Sequence, residues 1–272
     1  MGFACLVARK IRTGPIGYDA RRLYSGSQSM QRGVFITGSD TGVGKTRIGT
    51  ALASWLSARG LRVAVRKPVE SGCPDGPQGP LPQDADALRL AAGGWEDLDA
   101  VCRVRLRAAL SPERAAALEG VRLELDALVQ HCRAGVDAAD FLIVEGAGGF
   151  YSPLAQHALN ADLAVRLRLP VLLVAADRLG TINHSLLTAE AVRGRGLALA
   201  GVVLSQPSPQ PDVSMDNAGE LARWLGMSVQ LLRHGPASGA DAGPGDAAAL
   251  APLFEQLLDG ARPTRSASAA RV

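Results

Sequence analysis

A chain of 272 residues with 47% hydrophobic content can bury one substantial core, which points to one α/β domain rather than two ordinary ones. With 29 Lys and Arg against 26 Asp and Glu, a formal net charge of +3 and 4% aromatics, it lacks the basic stripe and stacking platforms of a nucleic-acid binder. The longest apolar runs, such as PVLLVAA from Pro170, fall far short of the ~20 residues needed to cross a bilayer.

The first thirty residues are rich in Arg, Ser and Gly, with no acid before Asp19. They read either as a mitochondrial presequence or as a plain disordered extension of a domain that starts near Met30, and composition favours the extension. From Gly33 the pattern becomes regular. GVFIT (Gly33–Thr37) reads as a strand, Lys45–Arg59 as a helix, and LRVAV (Leu61–Val65) as a second strand. Helical patterns dominate between Leu81 and Arg133, at Asp84–Ala92, Pro112–Leu118 and Leu123–Arg133. Three further apolar runs follow: FLIVE (Phe141–Glu145), VLLVAA (Val171–Ala176) and GVVLS (Gly201–Ser205). Short buried runs joined by helices predict βαβ crossovers, and so a mainly parallel sheet with helices on both faces. The expected fold is a P-loop NTPase-like α/β domain over residues 31–259. Within it Gly235–Asp246 reads as a flexible linker and Ala247–Leu258 as a closing helix, and residues 260–272 form a loose tail. The four cysteines, Cys5, Cys73, Cys102 and Cys132, form no CxxC or CxxH pair, which suits free thiols in a reducing cytoplasm.

Ligands of parallel sheets bind beyond the carboxyl ends of the strands, and the chemically loaded residues follow those strands here. After the first strand comes Gly38-Ser39-Asp40-Thr41-Gly42-Val43-Gly44-Lys45-Thr46, and then a helix. Such a loop could merely cap a helix and leave Lys45 solvated. Its place between strand and helix instead predicts a phosphate cradle, with Lys45 at the β- and γ-phosphates and the Thr46 hydroxyl on Mg2+. Five residues separate Gly38 from Gly44, one more than the usual spacing. Glu145 leaves the end of an apolar strand beside Gly146-Ala147-Gly148-Gly149, a placement that suits a metal ligand near phosphates. Leu179-Gly180-Thr181-Ile182-Asn183 precedes a helix expected to begin near His184, and a helix start built of small residues is an anion site.

The loop TGSDTGVGKT resembles the TGTDTxVGKT loop of dethiobiotin synthetases, which carry the same spacing. KPVESG (Lys67–Gly72), DADAL (Asp84–Leu88), SPERAAALEG (Ser111–Gly120), VEGAGG (Val144–Gly149) and LGTINHSLLTAE (Leu179–Glu190) resemble that family's later motifs in order and spacing. The resemblance implies a cytoplasmic Mg-ATP-dependent ligase that closes a cyclic urea on 7,8-diaminononanoate, using CO2 or bicarbonate, with ATP as co-substrate and Mg2+ as cofactor. It implies catalytic roles for Lys67 and Lys45, and substrate contacts at Thr41, Ser71, Gly180 and Asn183. Nucleotide contacts are implied at Gly42, Val43, Gly44, Lys45, Thr46, Arg47, Asp86, Glu145, Gly146, Ala147, Gly148, Ser205 and Gln206. The implied Mg2+ ligands are Thr46, Asp86 and Glu145, with Asp84 left as a helix N-cap. The family's loop at Leu179–Asn183 crosses a two-fold interface, so a homodimer with shared sites is expected. One departure stands out: Ser205 and Gln206 occupy the place where the family often has an adenine-reading Asn, and a hydroxyl cannot match an amide's paired donor and acceptor. Two other readings are less well supported. A partitioning-type ATPase switch usually carries an extra lysine early in the loop, where this chain has Ser39-Asp40-Thr41, and an amide-forming ligase needs a glutaminase domain.

Overall fold

The computed structural model describes residues 32–77, 79–208, 214–235 and 244–260. The expectations for residues 1–30, for 236–243 of the linker and for the tail beyond Gly260 lie outside the described residues. The chain opens with β1 (Gly33–Gly38), α1 (Lys45–Ser57), β2 (Val63–Arg66) and β3 (Val69–Ser71), followed by two-residue strands β4 (Asp75–Gly76) and β5 (Gly79–Pro80). A helical stretch follows, with α2 (Gln83–Ala91), α3 (Leu98–Val101), β6 (Val104–Leu106), α4 (Pro112–Leu118) and α5 (Leu125–Arg133). Then come β7 (Phe141–Gly149), the small pair β8 (Pro153–Ala155) and β9 (Ala158–Leu159), α6 (Asn160–Leu167), β10 (Val171–Ala176) and α7 (Thr181–Gly194). The last elements are β11 (Leu199–Ser205), α8 (Asn217–Leu225), β12 (Val229–Leu232), α9 (Pro244–Ala249) and α10 (Ala251–Gly260).

Six strands form the main sheet in the order β12-β11-β10-β1-β7-β2, and every neighbouring pair is parallel. The P-loop-type α/β architecture read from the sequence is therefore the one observed. Each β1 residue is buried, and alternation sends its side chains to opposite faces. Val34 and Ile36 pack with Ile48, Leu52 and Leu56 of α1, while Phe35 packs with Ala161 and Leu163 of α6. Beyond β10, Leu173 and Ala175 join Val202, Leu204 and Leu221 in a third apolar cluster. No helix among the described residues is long and apolar enough to cross a membrane.

β2 lies at the sheet's edge, where unpaired backbone groups need partners. Side chains supply them. Glu96 accepts the Val65 N–H at 3.0 Å, and Trp95 donates its indole N–H to the Val63 carbonyl at 2.7 Å. Glu96 also pairs with Arg66 at 2.7 Å, both side chains being almost fully buried.

The element ends differ from expectation in instructive ways. α1 stops at Ser57 rather than Arg59, and β2 runs Val63–Arg66 rather than Leu61–Val65. α7 begins at Thr181, three residues before His184, because Gly180 at φ 90° makes the turn itself. Thr181–Asn183 are thus the helix's first turn rather than a loop before it. The closing helix is broken into α9 and α10 around Leu250, whose side chain is fully buried. α8 and β12, in the stretch after β11, were not anticipated.

Candidate functional site

The loop after β1 is anchored at both ends. The Ser39 N–H donates to the Val174 carbonyl of β10 at 2.9 Å, and the Ile48 N–H returns to the Gly44 carbonyl at 3.1 Å as α1 starts. Gly44 has φ 94°, and a Cβ there would come 3.0 Å from Ser205 Oγ. The positive φ favours glycine, and any side chain there would also press on the Ser205 hydroxyl. Lys45 folds back so that Nζ donates to the Asp40 carbonyl at 3.1 Å. Burial lowers its pKa, and Lys67 adds to the fall, while Glu145, Asp84 and Asp40 oppose it.

Three strand ends converge beside this loop. Thr46 Oγ1 donates to Glu145 Oε1 at 3.0 Å. Lys67, just past β2, donates from Nζ to the same Glu145 oxygen at 2.5 Å and to Asp84 Oδ2 at 2.6 Å. Burial works against the Lys67 charge, but Glu145, Asp84 and Glu70 outweigh it and hold its pKa above the ordinary lysine value. Burial pushes the Asp84 carboxyl the other way from Lys67, yet the charge and hydrogen bond of Lys67, with a hydrogen bond from Thr46, bring its pKa below normal. For Glu70 burial prevails over Lys67, and the pKa is raised. Around these groups lies a cavity of about 460 Å³.

Most residues expected at the site meet there. Thr41, Gly42, Gly44, Lys45, Thr46 and Arg47 line the cavity from the loop and α1, Lys67 and Ser71 from the β2–β3 side, and Glu145, Ala147 and Gly148 from β7. Arg47 is also engaged elsewhere: it makes a two-pronged pair with Asp246 at 2.7 Å and donates to the Arg233 carbonyl at 3.0 Å. Ser71 Oγ donates to the Leu110 carbonyl at 2.7 Å, next to the SPER segment.

Others do not line it. Val43 is buried in the core. Gly146 backs against Phe35 and Asn160, leaving 2.9 Å between a would-be Cβ and Asn160 Oδ1. Ser205 sits behind Gly44, and the Gln206 N–H is spent on the Leu232 carbonyl at 2.9 Å. Gly180 and Asn183 open α7, and Asn183 is exposed.

Asp86 requires a correction. Its carboxylate pairs with Arg89 at 2.8 Å, and it is Asp84 that faces Lys67 and the cavity. Asp84 is not the N-cap either: Pro82 holds that position, and Asp84 lies in the first turn of α2. Residues two apart on a helix point ~200° apart, so only one acid of DADAL can face the site, and the helix's start decides which. Glu70 and Gln83 also line the cavity and were not singled out beforehand. Glu70 stands inside KPVESG, between Lys67 and Ser71, which was its only signal.

The donor set fits Mg2+. Thr46, Glu145 and Asp84 offer hard oxygens, and Glu145 Oε2 is buried without a hydrogen-bond partner, an exception that asks for a ligand. No group of three His, Cys, Asp or Glu suited to a metal occurs among the described residues.

A family model described as an AAA domain matches residues 32–234. The ATP-dependent dethiobiotin synthetase BioD of Anaeromyxobacter dehalogenans (strain 2CP-C) is 46% identical over 193 residues, covering 71% of this chain and 85% of that protein. The protein of the same name from Anaeromyxobacter sp. (strain Fw109-5) is 45% identical over 196 residues, covering 72% and 86%. Among solved structures, a ParA family ATPase from Chlorobium tepidum TLS aligns at 13% identity and TM-score 0.46, covering 85% of this chain and 98% of that one. A likeness at that level carries no functional argument.

Proposed function

The chain belongs to the ATP-dependent dethiobiotin synthetase family, and on that premise we propose that it closes the ureido ring of dethiobiotin from 7,8-diaminononanoate, CO2 or bicarbonate, and ATP. One amine of the substrate adds to CO2 and becomes a carbamate. A carbamate oxygen takes the γ-phosphoryl group of ATP. The second amine then attacks the carbonyl carbon, and phosphate leaves as the ring closes.

The observation that carries this reading is Lys67, whose ammonium is held between Glu145 at 2.5 Å and Asp84 at 2.6 Å in the cavity under the phosphate loop. A fixed, buried cation at that place offsets the negative charge that develops on carbamate and transferring phosphoryl group, at no reorganisation cost during the reaction. The N–H groups of Gly42–Thr46 and the Lys45 ammonium receive the phosphates. Thr46, Asp84 and Glu145 would hold Mg2+, which supplies charge neutralisation across phosphate oxygens when bound. Thr41, between loop and substrate, and Ser71 orient the diamine and its carbamate. The start of α7, with Gly180 and Asn183, takes the substrate's carboxylate tail across a two-fold dimer interface, and the enzyme works in the cytoplasm.

The test is direct. Enzyme incubated with 7,8-diaminononanoate, bicarbonate, Mg2+ and ATP should yield a product of dethiobiotin mass together with ADP. ATP hydrolysis with no ureido product would overturn the reading. Repeating the assay with CTP and GTP measures what Ser205 and Gln206 do for base choice.

A further inference from the structure

Glu70 reaches from β3 to the start of α2, fourteen residues further along. Its Oε1 accepts the Asp84 N–H at 3.0 Å and its Oε2 accepts the Ala85 N–H at 2.9 Å. Those N–H groups belong to the first turn of a nine-residue helix and have no partner within it. The N-cap, Pro82, makes no side-chain hydrogen bond to them. Glu70 therefore does from a separate strand what a capping side chain normally does locally, and its negative charge suits the helix's positive end.

What distinguishes it from an ordinary cap is which residue it grips. The Asp84 side chain is 42% exposed, so packing does little to orient it. Glu70 itself is only 6% exposed, lines the same cavity, and leaves the bridging contacts to Lys67 to Asp84 and Glu145.

We infer that Glu70 is a positioning residue: by clamping the Asp84 and Ala85 amides it aims the Asp84 carboxylate at the cation site and sets how tightly the enzyme takes up a divalent cation with its nucleotide. The inference rests on the reading above that Asp84 and Glu145 are the acids facing that cation. Outer-shell groups of this kind typically change metal affinity or activity by roughly 10- to 100-fold when removed.

Mn2+ uptake by the enzyme–ADP complex, followed by the EPR signal of free Mn2+, reads this without turnover. In Glu70→Ala the Mn2+ concentration for half-saturation should rise by about tenfold or more, and by less in Glu70→Gln, which keeps one acceptor. Turnover of both variants should recover as Mg2+ is raised. Unchanged Mn2+ affinity in both variants would overturn the inference. So would a higher KM for the diamine with Mn2+ affinity intact, since Glu70 would then touch substrate. Should Glu70→Ala not fold, Glu70→Gln decides alone. A parent enzyme that forms no dethiobiotin would sink the proposed reaction, yet the Mn2+ comparison would still judge Glu70.

Discussion

At the scale of single residues, the site is organised by one buried cation between two acids. Removing it leaves Glu145, fully buried, and Asp84 without the ammonium that bridges them, and Lys45 remains close enough to act on both. Lys67→Ala is expected to lower kcat by about 10²-fold or more, the scale of losing a preorganised charge stabiliser. Steady-state assay of ureido product checks it, and near-normal turnover would take Lys67 out of the mechanism. His131 offers a second, unrelated prediction. Burial lowers its pKa below the ordinary 6.5, with Arg66 nearby adding to the effect. Below pH 6.5 the unfolded chain therefore binds a proton that the folded chain resists, so stability falls as pH drops from 6.5 towards the folded-state value. Thermal denaturation across that range should show the slope, and His131→Asn should flatten it.

Elements were legible in the sequence where periodicity was strong, and obscure where local geometry chose between equals. The helical pattern at Pro112–Leu118 coincides with α4 as observed, which has Pro at its first position. The Asp84 and Asp86 choice went the other way, because a helix that starts at Gln83 turns the first acid inward and spacing alone cannot say so. α8 and β12 went unread for a different reason. β12 buries little beyond Leu232, so it shows no apolar run, and its place comes from pairing with β11. The edge strand β2 carries the prediction at this scale. Glu96 satisfies both the Val65 amide and the buried Arg66 guanidinium. Glu96→Ala leaves that charge unpaired and should cost about 3 kcal/mol or more in stability, read from urea unfolding. A loss below about 1 kcal/mol, the range of an exposed pair, would show that Arg66 finds another partner.

At the scale of the whole molecule, the phosphate loop was the most legible feature, because a strand, a glycine-rich turn and a helix must succeed one another in order. Assembly was not legible from pattern alone and came from the family resemblance. The structure adds that Leu179 is 90% exposed and Leu187, on α7, 58% exposed. Single exposed leucines are ordinary on a protein surface, and these two serve as probes of the proposed interface because of their place beside the proposed carboxylate site. Leu187→Asp is expected to shift the mass seen in analytical ultracentrifugation towards one protomer and to reduce turnover with it. A parent chain that sediments as a monomer while fully active would refute shared sites.

Arg47 and Trp55 tie α1 to α9 and α10. Arg47, beside the phosphate loop, finds its counter-ion in Asp246, and Trp55 meets Phe254 edge to face at 5.8 Å. Both partners lie in α9 and α10, Asp246 being 199 residues beyond Arg47, so α1 is synthesised well before either helix. A nascent polypeptide still held by the ribosome therefore carries α1 with one flank bare. The helix that carries the phosphate loop is braced only once synthesis has passed Phe254, and a chain terminated prematurely before Pro244 would keep Lys45, Lys67, Asp84 and Glu145 while lacking that brace.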